Sequence, residues 1–205
     1  MKKPEVLYHY TTGNIFRKIL HQGAIEPDRT EINNEQETPT VTFSSHPEWE
    51  RTRFRVGKLP DGQLIMMSQQ LLNLYDGGLY RIVVPSSIAP LDWYDMKDTC
   101  GISKEALKGI YDFALSVGAR TSHWYATTER VPEEVWINVE KMNAEGAWVE
   151  LSEDEIPEPS AEPTTNMGFD VTNPVQIKFD ETEPELIPVT DENLIREAGS
   201  LVSSD

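Results

Sequence analysis

The sequence predicts an α+β fold built from mixed or antiparallel β-sheets with flanking helices. Residues 6–22 read as a short apolar strand, a Thr-Thr-Gly link and then a short amphipathic helix. The later apolar segments are mostly short and rich in β-branched and aromatic residues, which is typical of strands. The clearest helical periodicity among them covers residues 103–117. A regular alternation of strands and helices would indicate a parallel sheet, and this irregular order argues against one.

The first strand and the first helix have recognisable ends. The strand spans Val6 to Tyr10, so that His9 and Tyr10 lie at its end. Apolar residues at helical spacing predict a helix over residues 14–22. Thr12 is expected to cap this helix, and Gly23 is expected to end it in the left-handed conformation.

Loops and strands alternate in the middle of the chain. Residues 26–39 contain several Pro, Asn and Asp residues, which predict a loop. Residues 40–45, Thr-Val-Thr-Phe-Ser-Ser, predict a strand. Residues 47–51 begin with proline and predict a short helix. The apolar run at residues 79–84 predicts a strong strand that Pro85 ends.

The second half contains the most distinct helix. Residues 88–94 predict one more extended piece before it. The helix itself covers residues 103–117, because its apolar residues share one face, Ser103 is placed to cap its start and Gly118 to end it. Further extended segments are expected at residues 124–128, 135–139 and 146–151.

Charge is distributed unevenly along the chain. The formal net charge is −17, and residues 151–205 hold 14 acidic and 2 basic residues. This acidic, Pro-rich composition is typical of a tail. We therefore expect a domain over residues 1–150 and an acidic C-terminal extension over residues 151–205, partly disordered or docked back through apolar spots such as residues 175–179 and 194–195.

Composition also narrows the class of protein. Residues 1–150 carry 21 acidic and 16 basic residues, and this mild excess argues against a broad phosphate-binding surface. The single cysteine, Cys100, excludes an intrachain disulfide and a cysteine-rich zinc site. No apolar run reaches the ~20 residues of a membrane helix, and no signal peptide follows Met1. We expect a cytoplasmic protein without a membrane partner.

Three polar motifs indicate a function. His9-Tyr10 and Ser44-Ser45 each end a predicted strand, and Glu129 is followed by Arg-Val-Pro. Each motif alone is more often structural, since such histidines pack and exposed glutamates solubilise. In this order they resemble the ADP-ribosyltransferase superfamily, which carries a His or Arg on its first strand, a Ser/Thr-rich strand end and a catalytic Glu before a Pro-containing turn. The resemblance covers residues 5–140, and the opening run is similar to that of bacterial and phage members.

The resemblance implies an enzyme that transfers ADP-ribose from NAD to a macromolecule, either protein or nucleic acid, or that hydrolyses NAD. Cleavage of the bond between nicotinamide and ribose passes through an oxocarbenium-like transition state, which requires a nearby carboxylate. On this resemblance Glu129 stabilises the positive charge and His9 binds a ribose hydroxyl. The implied NAD-binding residues are His9, Tyr10, Thr11, Ser44, Ser45, Arg51 and Arg53. No metal ion is expected.

Several assignments within this resemblance stay open. Three aromatic residues compete to stack on nicotinamide: Trp49, Phe54 and Tyr80. Arg29 competes with Arg51 and Arg53 for the pyrophosphate. Thr127 stands where toxins that modify arginine carry a second glutamate, which makes arginine a doubtful acceptor. Glu133 and Glu134 lie just downstream, but Glu129 is preferred because it precedes the Val-Pro turn.

Two other kinds of function compete with an NAD enzyme. A metal site formed by His9, His46, His123 and Glu129 lacks supporting spacing. The stronger alternative is a catalytically inactive, transferase-like binding module whose acidic tail engages a basic partner. The tail carboxylates concerned are Glu181, Glu183, Glu185, Asp191 and Glu192. The sequence does not distinguish a toxin, a phage-encoded host modifier and a defence component.

Overall fold

The computed structural model describes residues 3–30, 34–53, 56–58, 64–67, 69–75 and 77–159. The chain divides into two units, one formed by residues 1–54 and 68–168 and the other by residues 55–67 and 169–205. The described strands are β1 Val6–Thr12, β2 Ala24–Ile25, β3 Val41–Ser44, β4 Val56–Lys58, β5 Leu64–Met66, β6 Leu79–Pro85, β7 Leu91–Asp92, β8 Trp124–Thr127, β9 Val131–Pro132, β10 Asn138–Met142 and β11 Trp148–Glu150. The described α-helices are α1 Gly13–Gln22, α2 Gln69–Tyr75, α3 Trp93–Thr99 and α4 Lys104–Ser116.

The first unit is organised around an antiparallel sheet of seven strands in the order β11-β10-β6-β1-β3-β8-β7. β1 pairs with β6 along its whole length, from Val6 opposite Pro85 to Thr12 opposite Leu79. β1 and β3 share one paired position, Tyr8 with Ser44. A separate antiparallel pair joins β2 to β9. The structure thus confirms the predicted α+β class and shows that its sheets are antiparallel.

The described part of the second unit is an antiparallel hairpin of β4 and β5, with Gly57 opposite Ile65. The tail carboxylates and the apolar spots at residues 175–179 and 194–195 lie outside the described residues. In the described ranges, none of the helices combines the length and the apolar character needed to cross a lipid bilayer.

The main core of the first unit lies between the sheet and α1. Leu7 of β1 and Ile82 of β6 pack with Phe16 and Ile19 of α1 in one buried cluster. Phe16 is fully buried and its ring stacks on Tyr80 at 4.7 Å. Burying a side chain of this size stabilises a fold by about 1.5–3 kcal/mol. A second cluster contains Met96 of α3, Cys100 and Ala126 of β8.

Several predicted elements are confirmed. The strand at β6 and the helix at α4 occur where expected, and the Ser103 hydroxyl accepts a hydrogen bond from the Ala106 amide at 3.1 Å. Gly23 and Gly118 end their helices with φ of 65° and 71°. These positions were predictable because caps and helix ends depend on nearby residues.

Other predicted elements are wrong. Residues 47–51 form a loop rather than a helix. The extended piece predicted at residues 88–94 contains the short strand β7 but ends at α3, because the Asp92 carboxylate accepts hydrogen bonds from the Tyr94 and Asp95 amides and starts a helix there. The strand predicted at residues 135–139 begins only at Asn138, since Glu133–Val135 form a 3-10 turn. Thr12 precedes α1, but its hydroxyl makes no capping hydrogen bond.

Gly13, the first residue of α1, lies against the backbone of the turn before β6. A Cβ atom on Gly13 would overlap the Gly77 carbonyl oxygen, whereas one on Gly109 in α4 would meet no atom of the described residues within 4 Å. We expect Gly13→Ala to lower the free energy of unfolding by about 1–3 kcal/mol, because the backbone must shift. Gly109→Ala should raise it by up to about 1 kcal/mol, because alanine is the better helix former. Urea unfolding of both variants measures the difference, and equal stabilities would contradict this close contact.

Candidate functional site

A cavity of about 300 Å³ lies in the first unit. Residues of strands β1, β3 and β8 and of helices α3 and α4 line it. Its apolar wall includes Trp93, Trp124, Met96 and Phe113. A concave, mostly aromatic and apolar surface with a few polar groups is typical of a ligand site, and this volume is at the small end of the usual range.

The polar part of the cavity is organised around Glu50, in the loop after β3. Glu50 is only 5% exposed. The Ser44 hydroxyl donates to its Oε2 at 2.7 Å, while the Thr52 amide and hydroxyl donate to Oε1 at 3.3 and 3.0 Å. Both carboxylate oxygens are therefore held, and the three donors compensate part of the cost of burying the carboxylate.

Two tryptophans meet at the cavity wall. The rings of Trp93 and Trp124 pack edge to face with 5.3 Å between their centres. Trp93 begins α3 and Trp124 begins β8, so a regular element fixes each ring. Flat aromatic surfaces of this kind can contact a planar heterocycle.

Arg53 brings positive charge to the same cavity. Its guanidinium donates a hydrogen bond to the Thr42 hydroxyl, and both residues line the cavity. The side chain is exposed, which lets an anionic group reach it from solvent. A guanidinium suits phosphate oxygens because it offers a planar fork of donors.

Three of the residues implied by the family resemblance line this cavity: Tyr10, Ser44 and Arg53. The Tyr10 hydroxyl donates to the His46 carbonyl, and burial raises the pKa of this phenol. Tyr10 therefore stays protonated and serves as a donor. The structure brings these three residues together with Glu50, which the resemblance does not include.

His9 does not line the cavity, whereas its neighbour Tyr10 does. Successive side chains of a strand point to opposite faces, and Tyr8 and Tyr10 line the cavity while His9 does not. His9 Nδ1 lies 3.0 Å from the Thr42 carbonyl oxygen and donates to it, since a carbonyl only accepts. Burial, helped by the charge of Arg53, lowers the pKa of His9 to about 4. The ring is thus neutral at physiological pH.

Glu129 lies away from Ser44. In the pairing of β3 with β8, Ser44 faces Trp124 and Val41 faces Thr127. Thr127 therefore lies about 10 Å from Ser44 along the strand direction, because the two pairs are three residues apart in the register. Glu129 lies beyond Thr127. Its side chain is exposed and does not line the cavity. Of His9, Ser44 and Glu129, only Ser44 lines this cavity.

The remaining implied NAD-binding residues also lie outside the cavity lining. The Thr11 hydroxyl is buried and has no hydrogen-bond partner in the part of the chain that the structure describes. The Ser45 amide donates to the His123 carbonyl at 2.8 Å. Arg51 is exposed and donates to the Val117 carbonyl at 3.5 Å. Arg29, the competing arginine, donates to the Glu37 carbonyl at 3.2 Å.

The structure describes two of the three aromatic candidates for stacking on nicotinamide, and neither of these two lines the cavity. Tyr80 belongs to the buried core against Phe16. Trp49 packs edge to face on Tyr10 at 5.2 Å and does not line the cavity. Phe54 lies outside the described residues. The tryptophans that do line the cavity, Trp93 and Trp124, are not among the three.

Glu50 is the functional candidate that sequence reasoning missed. Residues 47–51 read as a short helix, in which a glutamate would be a solubilising residue. The available signal was a carboxylate close after the Ser44-Ser45 strand end, in a segment that also contains Trp49. The loop turns this carboxylate back onto Ser44, which no helical spacing predicts.

In the described ranges, no group of three or more His, Cys, Asp and Glu residues has the arrangement of a metal site. Comparison with known proteins found no matching family model, no matching curated protein and no matching solved structure.

Proposed function

We propose that this protein is an NAD-consuming glycosyl transferase whose cavity takes the nicotinamide riboside end of NAD. The observation that carries the proposal is Glu50, a buried carboxylate with both oxygens oriented at the wall of an aromatic cavity. The order of the His9-Tyr10, Ser44-Ser45 and Glu129 motifs in the sequence, which resembles that of ADP-ribosyltransferases, supports an activity of this class.

The chemistry assigns a role to each part of the cavity. The bond between ribose C1′ and the nicotinamide nitrogen breaks with its electron pair moving to nicotinamide, and a nucleophile then attacks C1′. Glu50 stabilises the positive charge that develops on the ribose. Trp93 and Trp124 contact the nicotinamide ring, while Arg53 binds the pyrophosphate at the exposed side. The ADP-ribose passes to a macromolecule, protein or nucleic acid, or to water.

The experiment uses the full chain with NAD labelled in its adenylate half, alone and with a cell lysate. We expect NAD to raise the melting temperature and free nicotinamide to be released, with label recovered on a macromolecule or as ADP-ribose. No release of nicotinamide at millimolar NAD would contradict the enzymatic proposal. A rise in melting temperature without release would favour the inactive binding module instead.

A further inference from the structure

In the loop that carries Glu50, three consecutive backbone carbonyl groups each accept a hydrogen bond from a side chain of the sheet. The Tyr10 hydroxyl donates to the His46 carbonyl, the Arg81 guanidinium to the Pro47 carbonyl, and the Trp148 indole N–H to the Glu48 carbonyl at 2.6 Å. We call Tyr10, Arg81 and Trp148 the carbonyl clamp. These donors come from β1, β6 and β11, so residues far apart in sequence converge on one short loop.

The members of the carbonyl clamp also fix one another. Tyr10 and Arg81 are directly paired across β1 and β6. The Arg81 guanidinium lies over the ring of Trp148 at 4.7 Å and forms an ion pair with Glu140. The rings of Tyr10 and Trp148 are 5.7 Å apart. Side chains that pack on each other in this way keep their donors in a single geometry.

The held carbonyls lie immediately before the cavity carboxylate. Only Trp49, whose ring packs on Tyr10, separates Glu48 from Glu50. On the other side of Glu50, the Arg53 amide donates to the Glu50 carbonyl at 2.8 Å. A movement of residues 46–48 would therefore move Glu50 relative to Ser44 and the cavity wall.

We propose that Trp148, on the outer strand of the sheet, is a positioning residue that holds Glu50 at the cavity wall through the Glu48 carbonyl. Trp148 is not among the residues that line the cavity, and its described hydrogen bond to this loop goes to the backbone, at the Glu48 carbonyl. The inference deepens the proposed function, because an error of about 1 Å in the position of a catalytic group can cost up to a hundredfold in rate.

The test compares two Trp→Phe variants of the full chain. Trp148→Phe keeps an aromatic ring under Arg81 but removes the N–H that bonds the Glu48 carbonyl. Trp136→Phe is the matched control, because the Trp136 indole nitrogen is buried without a hydrogen-bond partner among the described residues and the side chain packs on the main core. Hydrogen exchange of the Thr52 and Arg53 amides, which bond Glu50, reports the loop without NAD.

We expect Trp148→Phe to speed exchange of these two amides about fivefold, the effect of losing one hydrogen bond, and Trp136→Phe to leave it unchanged. In NAD cleavage, Trp148→Phe should lower kcat about tenfold with KM within about twofold, because positioning acts on the transition state. Equal exchange in the two variants, or equal kcat, would overturn the proposal. A wild-type protein that leaves NAD intact would contradict the proposed function, and exchange alone would then decide the role of Trp148.

Discussion

Replacing Glu50 by glutamine should lower the rate of NAD cleavage about a hundredfold or more, the usual effect of removing one group that stabilises transition-state charge. Glutamine has nearly the same size, its carbonyl oxygen can accept the hydrogen bonds from the Thr52 amide and hydroxyl, and its NH2 can donate to the Ser44 hydroxyl oxygen. What it removes is the negative charge opposite the ribose. The rate of nicotinamide release at saturating NAD measures the effect.

Glu129→Gln is the comparison variant for this experiment. Glu129 is exposed beyond the end of β8, so its substitution should leave the rate within about twofold of wild type, as surface changes away from a site usually do. Circular dichroism and the melting temperature of both variants establish that the fold is kept. The opposite pattern, with activity lost in Glu129→Gln and retained in Glu50→Gln, would support the assignment implied by the family resemblance.

Measuring NAD binding in the same variants separates an effect on binding from an effect on bond cleavage. Because Glu50 acts mainly on charge that develops during bond cleavage, the Glu50→Gln variant should still gain melting temperature with NAD. A variant that loses binding together with activity would show that Glu50 contributes to the ground state instead.

The elements that sequence predicted well depend on neighbouring residues. The apolar face of α1 and its end at Gly23 lie within one short segment, and the Ser103 cap bonds an amide three residues away. The fold class follows from the order of such segments. Local patterns of this kind can be read without knowing which strands pair.

The site was less predictable because it depends on pairing between distant segments. The sequence shows that His9 and Tyr10 are neighbours, but because side chains alternate along β1, only Tyr10 of these two residues lines the cavity. Register between β3 and β8 separates Glu129 from Ser44, and the fold of a single loop brings Glu50 to Ser44 instead. A one-residue change of register would reverse such assignments, and one sequence does not determine register.

The largest effect on stability is expected for Arg81, the central residue of the carbonyl clamp. Its side chain and that of its partner Glu140 are 10% and 17% exposed. Arg81→Met keeps an apolar stem in this position but leaves the Glu140 carboxylate and the Pro47 carbonyl without their donor. Breaking a buried pair from one side costs about 3–5 kcal/mol, and we expect a loss of unfolding free energy in this range.

Arg130→Met provides the matched control on the surface. Arg130 also pairs with a glutamate, Glu26, at 2.7 Å, but the two side chains are 51% and 45% exposed. An exposed pair contributes about 1 kcal/mol or less, and added salt weakens it further. Denaturant unfolding should therefore show a much larger loss for Arg81→Met, with little dependence on salt.

The double variant Arg81→Met with Glu140→Gln distinguishes the ion pair from the loop contact. If the unpaired Glu140 carboxylate causes most of the loss, neutralising it should recover about 1–3 kcal/mol, the usual coupling between contacting residues. No recovery would place the cost on the Pro47 carbonyl and the ring contacts with Tyr8 and Trp148. In either case the Thr52 and Arg53 amides should exchange faster than in Arg130→Met, because Arg81 holds the loop that carries Glu50 and Arg130 does not.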